Sequence, residues 1–195
     1  MQRWNYPQFR PGIMGKIEKV VGPGMSKTEL VVVFASGTVA ATMMIAFSVY
    51  KDPQWSLLQT IIATLLVFDL VGGAVCNATS PTKRWYHRAQ SSRQSRILFV
   101  VGHAAYPFLV AWLFRAMDWK YFCVVYGYLC FSAVIVAFTA LYLQRCVAVL
   151  ILCGAIFIDS YIFTLTPGFE WFIPILFLKL IVGHMVKEEP YTAEE

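Results

Sequence analysis

The chain has 195 residues, of which 58% are apolar and 14% charged, and its net charge is +5 at pH 7. Soluble domains carry about 25% charged residues, so this composition excludes an ordinary soluble domain, a disordered chain and a free nucleic-acid-binding protein. The apolar residues fall into six blocks, each close to the roughly 20 residues that cross a bilayer as a helix. We therefore predict an all-α integral membrane protein with six transmembrane helices in one bundle.

The N-terminal segment, residues 1–27, carries five cations and precedes the first apolar block. Apolar residues recur in it at helical spacing between a proline and a Gly-Pro-Gly sequence, with Lys16, Glu18 and Lys19 on the other side. Proline favours a helix start and glycine a helix end. We predict a helix over 11–21 that lies in the membrane interface; an ordinary connecting segment is the alternative.

The membrane domain is predicted over 28–186 and is followed by a short acidic tail, 187–195. The first two spans form a tight hairpin because only four residues separate them. The second loop, 78–96, is longer and contains five cations and no acidic residue. The predicted spans are 28–50, 55–77, 97–114, 121–143, 146–165 and 169–186.

Lysine and arginine are divided unequally between the two sides of the predicted membrane. The N-terminal segment, the second loop and the fourth loop together carry eleven of these residues, and the opposite side carries three. Cytoplasmic loops carry the excess of Lys and Arg in multi-pass proteins. Both termini and the second loop are therefore predicted to lie in the cytoplasm.

Ionisable residues within the spans are the first candidates for function, because they are costly in a bilayer and usually face the bundle interior. Asp69 is predicted in the middle of span two and Asp159 in the middle of span five. His103 is in span three, and Lys179 and His184 are in span six. An ion pair of Lys179 with either aspartate is one interpretation of that lysine, and a side chain that reaches the headgroups is another.

One face of span two is polar or small. Its residues follow at three- and four-residue steps: Gln59, Ala63, Leu66, Asp69, Gly73, Cys76 and Asn77. From the predicted depths, Asp69, Asn77, His103, Lys179 and His184 converge in an inner-half cavity that is open toward the second loop. We predict that this cavity binds a substrate or ion. Simple helix packing, with Asp69 hydrogen-bonded to a neighbour, is the alternative.

Two histidines and a carboxylate form a ligand set that suits zinc or iron, here His103, His184 and Asp69. No pair of histidines has the spacing that places two ligands on one helix. We therefore assign no cofactor from the sequence and keep zinc or iron at these residues as an alternative.

An internal repeat is a further hypothesis. An offset of 90 residues aligns span one with span four and span two with span five, and it pairs Gly37 with Gly127 and Asp69 with Asp159. Because each half has three spans, the second half would be inverted, as in many transporters. The identities are few and the alignment fails at span three, so unrelated halves are the alternative.

The second loop mixes hydroxyls, cations and aromatic rings, and we predict that it contacts anionic lipid headgroups. A loop that only orients the chain is the alternative, and His87 is expected at its surface. In span three, Pro107 frees the carbonyl of His103 and predicts a bend.

The leading functional hypothesis is a transporter or channel-like protein that moves a small solute or ion. In it, Asp69 and Asp159 bind protons or cations and His103 titrates beside them. An intramembrane enzyme acting on a lipid or isoprenoid at the cytoplasmic face is the second hypothesis. A structural or assembly protein without a site is the third. The sequence does not predict the substrate or the oligomeric state.

Overall fold

A computed structural model describes residues 7–188, which contain helices and turns and no strand. Arg3, one of the cations counted above, and most of the predicted acidic tail lie outside this range. The helices are α1 Gly12–Val21, α2 Lys27–Tyr50, α3 Leu57–Ala78, α4 Ser80–Tyr86, α5 Arg93–Phe114, α6 Trp119–Phe138, α7 Gln144–Ile162 and α8 Phe172–Met185.

Five of these helices, α2, α3, α5, α6 and α7, are long and apolar enough to cross a membrane. Their length and composition are those of an integral multi-pass membrane protein, as the sequence predicted. The sixth predicted span differs from its expected length. It forms the shorter helix α8, which has a six-residue α-helical start and an eight-residue π-helical continuation, Leu178–Met185.

The helical hairpin of α2 and α3 is defined by capping at both starts. The Ser26 hydroxyl accepts a hydrogen bond from the Glu29 amide at 3.1 Å, and the Glu29 carboxylate accepts one from the Ser26 amide at 2.8 Å. Ser56 and Gln59 repeat the same arrangement at the start of α3. Such capping boxes satisfy backbone donors that lipid cannot satisfy.

Glycines let α2 and α3 approach closely. A Cβ atom on Gly37 would lie 2.9 Å from the Phe68 carbonyl oxygen, and one on Gly72 would lie 3.4 Å from that of Val33. Small residues allow such backbone contact between membrane helices. A Cβ atom on Gly127, which the repeat hypothesis pairs with Gly37, would have no neighbouring atom within 4 Å among the described residues. The two glycines therefore have different structural roles.

Helix α5 bends at His103, as Pro107 predicted. The backbone of His103 has φ −87° and ψ 16°, outside the helical range, and a 3₁₀ turn over Gly102–Ala104 joins the two halves. Beside the bend, the Tyr126 hydroxyl donates a hydrogen bond to the Val101 carbonyl at 2.8 Å. This bond gives a partner to a backbone group at the point where regular helical bonding is interrupted.

The loops meet at two opposite ends of the bundle. At one end, α1 packs against α4, because the hydroxyl of Tyr86 donates to the Val20 carbonyl at 2.8 Å. The Lys83 ammonium donates to the Val186 carbonyl at 2.9 Å, so the chain after α8 lies at this same end. At the other end, Arg115 donates to the Thr164 carbonyl at 2.8 Å.

Helix α1 differs in one detail from its predicted amphipathic pattern. Glu18, expected on the polar side, is 2% exposed and pairs with the Arg10 guanidinium at 2.9 Å. The apolar residues Ile13 and Val20 are instead 76% and 66% exposed. The ion pair with Arg10 compensates the buried charge of Glu18. The outward face of the helix carries Ile13 and Val20.

Candidate functional site

Three helices bring a carboxylate, a lysine and a tyrosine together within the bundle. The Lys179 ammonium of α8 lies 2.5 Å from the Asp69 carboxylate of α3. The Tyr106 hydroxyl of α5 donates to the same carboxylate oxygen at 2.6 Å. Lys179 also donates to the Asp69 backbone carbonyl at 3.2 Å. We call Asp69, Tyr106 and Lys179 the polar centre.

The polar centre is enclosed unevenly. The side chain of Lys179 is 6% exposed, whereas that of Asp69 is 48% exposed. A buried lysine inside an apolar bundle requires a counter-charge, and Asp69 supplies it. The carboxylate nevertheless keeps an open side from which a further group can approach it.

Small and polar residues of α3 determine where Lys179 lies. A Cβ atom on Gly73 would come within 2.5 Å of Lys179 Cε, so the absence of a side chain there makes room for the lysine. One turn further, the Asn77 amide donates to the Lys179 carbonyl at 3.0 Å. A Cβ atom on Gly183 would lie 3.0 Å from the Asn77 Cβ. The predicted polar face of α3 therefore packs on the π-helical part of α8.

Aromatic rings continue from the polar centre toward α4. His103 stacks on Tyr106 with ring centroids 5.1 Å apart, and Phe99 contacts His103 at 4.8 Å and stacks on His184 at 4.1 Å. His87 lies beyond His184, with 6.4 Å between ring centroids. We call Tyr106, His103, Phe99, His184 and His87 the ring ladder. It links the polar centre to the end of the bundle where the second loop lies.

The histidines of the ring ladder have few hydrogen-bond partners. One ring nitrogen of His103 bonds to the Phe99 carbonyl at 2.7 Å. Both ring nitrogens of His184 and Nδ1 of His87 are buried and have no partner among residues 7–188. Buried polar groups without partners are uncommon and call for an explanation. These nitrogens are therefore candidates for proton or ligand binding.

His87 was expected at the surface, but it is only partly exposed, and its Nδ1 is buried. Its Nε2 bonds to the His184 carbonyl at 2.9 Å. Burial lowers the pKa of His87 to about 4, and the charge of Lys83 acts in the same direction. The imidazole is consequently neutral at pH 7. The sequence did not predict this position, because the neighbours of His87 in the loop are mostly polar and are typical of an exposed segment.

Asp159 does not belong to the polar centre. The sequence placed it at mid-span, but α7 ends at Ile162, so Asp159 lies in the last turn of its helix. It has no hydrogen bond or ion pair within the described range. It lines a small cleft with Tyr128 and Ile173, separate from Asp69. The sequence stays apolar beyond Ile162, in residues that are not helical, so hydropathy predicted a longer helix than the structure has.

The structure therefore joins five of the six predicted site residues: Asp69, Asn77, His103, Lys179 and His184. None of these five residues lines the cleft at Asp159 or the cavity that opens between α1, α4 and α5, so neither is the predicted shared cavity. Within residues 7–188, no group of three or more His, Cys, Asp and Glu side chains is arranged to hold a metal ion. Phe99 contacts both His103 and His184, so an aromatic ring bridges the two imidazoles.

Tyr106 is the site residue that the sequence reasoning missed. It follows His103 by three residues, which places both on one face of a helix. That spacing was the available signal. A hydroxyl beside a histidine at membrane depth was a candidate for the same polar face.

Comparisons with known proteins find no matching family model, no similar curated protein and no similar solved structure.

Proposed function

We propose that this protein is a small transporter of protons or another small cation, with six membrane spans and both termini in the cytoplasm. One observation carries the proposal: the Asp69 carboxylate, ion-paired with Lys179 and still 48% exposed, lies well inside an apolar helix. Charged groups are costly in a bilayer and mark ion pathways and proton relays in membrane proteins.

The positions of the loops support the six-span topology. The N-terminal helix, the second loop and the chain after α8 meet at one end, which also carries most of the Lys and Arg residues. By the positive-inside rule, this end is cytoplasmic. The same argument favours an integral membrane location with the basic second loop facing anionic lipid headgroups.

Helix α8 is shorter than the bilayer, and the residues before it supply the rest of the sixth crossing. Even at the α-helical rise of 1.5 Å per residue, a helix of this length spans at most about 21 Å, against roughly 30 Å of hydrocarbon. In the preceding non-helical segment, Phe163, Thr166 and Phe169 are buried. Non-helical backbone is tolerated at membrane depth where protein covers it.

Neutralising Asp69 is the central step of the proposed mechanism. A proton or cation at the carboxylate removes the charge that holds Lys179. Lys179 belongs to the π-helical part of α8, and π-helical turns occur frequently at functional sites. Because the lysine packs over Gly73, its release changes the contact between α3 and α8. The histidines of the ring ladder provide groups that accept and donate protons toward the cytoplasmic end.

Ion flux into liposomes tests this proposal. Purified protein is reconstituted with an internal pH-sensitive dye, and a potassium gradient with valinomycin imposes a membrane potential. We expect proton influx above that of protein-free liposomes, at least tenfold lower in Asp69→Asn and unchanged in Asp159→Asn. Matched experiments with sodium and potassium indicators, with the potential set by another ionophore, examine the other small cations. Flux equal to that of empty liposomes for all three ions, or unchanged in Asp69→Asn, contradicts the proposal.

The second candidate is an intramembrane enzyme that acts on a lipid or isoprenoid at the cytoplasmic face. The unpartnered buried nitrogens of His184 and His87 favour it, because an acid-base group requires such nitrogens. Its metal-dependent form, with zinc or iron at Asp69, His103 and His184, requires these side chains to move together, because Phe99 lies between the two imidazoles. Elemental analysis of purified protein and of His184→Ala tests that form. Stoichiometric metal that the variant loses supports it, and the absence of stoichiometric metal in the wild-type protein contradicts it.

A further inference from the structure

A cavity of about 170 Å³ opens at the end of the bundle where α1, α4 and α5 meet. It lies apart from the polar centre. Three cations line it, one from each surrounding segment: Lys19 from α1, Arg88 from the chain after α4, and Arg96 from the first turn of α5. The hydroxyls of Ser91 and Ser95 line it as well.

Among residues 7–188, no acidic group balances the charge in this cavity. No carboxylate of the described residues lines it. The nearest acid along α1, Glu18, is already paired with Arg10 at 2.9 Å. Glu188, at the same end of the bundle, pairs with Lys83 at 3.6 Å and with Arg145 at 3.3 Å. The cations that line the cavity therefore favour an anion as its occupant.

Local contacts hold the two arginine side chains in place. The Arg88 guanidinium lies 3.8 Å from the centre of the Trp85 indole and donates to the Trp85 carbonyl. Arg96 donates to the Ser91 carbonyl at 3.3 Å. A guanidinium has five N–H donors, so these bonds leave donors for a ligand. The site is thus organised before a ligand binds, which lowers the cost of binding.

The size of the cavity and its position point to a phosphate group. Its volume of about 170 Å³ leaves room for several water-sized groups, which is enough for a phosphate. Arginine donors match phosphate oxygens in pairs, and a phosphate carries up to two negative charges. On α1, the helix that supplies Lys19, Ile13 and Val20 are exposed as in a helix that lies on a membrane surface.

We propose that this cavity is a binding site for a phosphate group, held by Arg88, Arg96 and Lys19 with the two serine hydroxyls. The phosphate belongs either to the headgroup of an anionic phospholipid with a phosphomonoester or to free inorganic phosphate. The site does not depend on the transport proposal, because none of its residues belongs to the polar centre and its lining shares only Phe99 with the ring ladder.

Native mass spectrometry of the detergent-purified full chain tests the site and distinguishes the two sources. The probes are phosphatidic acid, phosphatidylcholine and inorganic phosphate, each titrated separately. We expect phosphatidic acid to bind at least tenfold more tightly than phosphatidylcholine. Competition by inorganic phosphate at similar concentration identifies free phosphate as the ligand, and its failure to compete identifies the lipid headgroup. Both results support a phosphate site. The proposal is overturned if neither phosphatidic acid nor inorganic phosphate binds.

Charge-matched variants separate the cavity from the general basicity of this end. Arg88→Gln with Arg96→Gln removes two lining cations, and we expect at least a tenfold loss of affinity. Arg93→Gln with Arg145→Gln is the control, because it also removes two cations and neither lines the cavity: Arg93 lies over the Phe138 ring, and Arg145 pairs with Glu188. Its affinity is expected to stay within twofold of the wild type. An equal loss in the control overturns the proposal.

A second variant protects the test against misfolding of the arginine variant. Ser91→Ala with Ser95→Ala keeps every charge and removes two hydroxyls that line the cavity. We expect about a threefold loss of phosphatidic acid or phosphate affinity, with an unchanged melting temperature in detergent. Wild-type affinity in the serine variant, together with wild-type affinity in any folded arginine variant, contradicts the site.

Discussion

Asp69 and Asp159 have the same side chain, and each lies in a long apolar helix, yet their surroundings differ. Asp69 meets a lysine and a tyrosine from two other helices, at 2.5 Å and 2.6 Å. Asp159 lies in the last turn of α7 and makes neither a hydrogen bond nor an ion pair with residues 7–188. The repeat hypothesis, based on the sequence, predicted that the two aspartates are equivalent.

The difference shows that the same residue type acquires different surroundings at different positions along a membrane helix. An aspartate near a helix end can reach polar surroundings, whereas one at mid-helix depends on partners within the protein. Asp69 has such partners, so removing them should lower the free energy of unfolding. Asp159 has no such partner among residues 7–188, so no equal loss is expected there. The following substitutions test this contrast, from the largest expected effect to the smallest.

Lys179→Met leaves Asp69 without its cationic partner. Because an uncompensated charge remains inside the bundle, we expect the free energy of unfolding to fall by about 3 kcal/mol. Unfolding in mixed detergent micelles, followed by circular dichroism, measures this change. The double variant Lys179→Met with Asp69→Asn removes both charges and should recover most of the loss. A double variant as unstable as Lys179→Met shows that packing, and not charge, is responsible.

Gly73→Ala tests whether the small residue on α3 positions the lysine. The new Cβ would lie 2.5 Å from Lys179 Cε, so the lysine must move away from Asp69. Overpacking and a weakened ion pair together are expected to cost about 2 kcal/mol. Gly127→Ala is the matched control, because its new Cβ would have no described neighbour within 4 Å. The same unfolding measurement should show no loss in the control, and an equal loss in both contradicts the positioning role.

His87→Gln tests the far end of the ring ladder through pH dependence. Burial lowers the pKa of His87 to about 4, so the unfolded chain binds a proton more readily than the folded one. His87 therefore makes folding less favourable as pH falls from about 6.5 to 4, and adds no further loss below pH 4. We expect His87→Gln to reduce this slope and, at pH 7, to cost about 1 kcal/mol through the lost hydrogen bond. An unchanged pH profile between pH 7 and 4 contradicts the burial of His87.

Asp159→Asn should have the smallest effect. Because Asp159 has no described ion pair, we expect the free energy of unfolding to change by less than about 0.5 kcal/mol. A loss comparable to that of Lys179→Met, measured in the same micelles, would show that the two aspartates are equivalent after all. That outcome would restore the argument for the repeat.

Part of the site was predictable because helical spacing determines which residues share a face. The stripe from Ala63 to Asn77 on α3 follows three- and four-residue steps, and most of its members are buried. Pro107 likewise predicted the bend at His103, since a missing amide proton frees a specific carbonyl. Both are local properties of one helix.

Composition and hydropathy were sufficient to identify a multi-pass helical membrane protein, because each span must satisfy its own backbone hydrogen bonds within one segment. They were not sufficient to find the partner of each polar residue. Lys179 is 110 residues away from Asp69 along the chain, and Tyr106 comes from a third helix. Only the tertiary structure decided that Lys179 pairs with Asp69 and that Asp159 stays apart, because such pairings depend on how helices rotate and pack against each other.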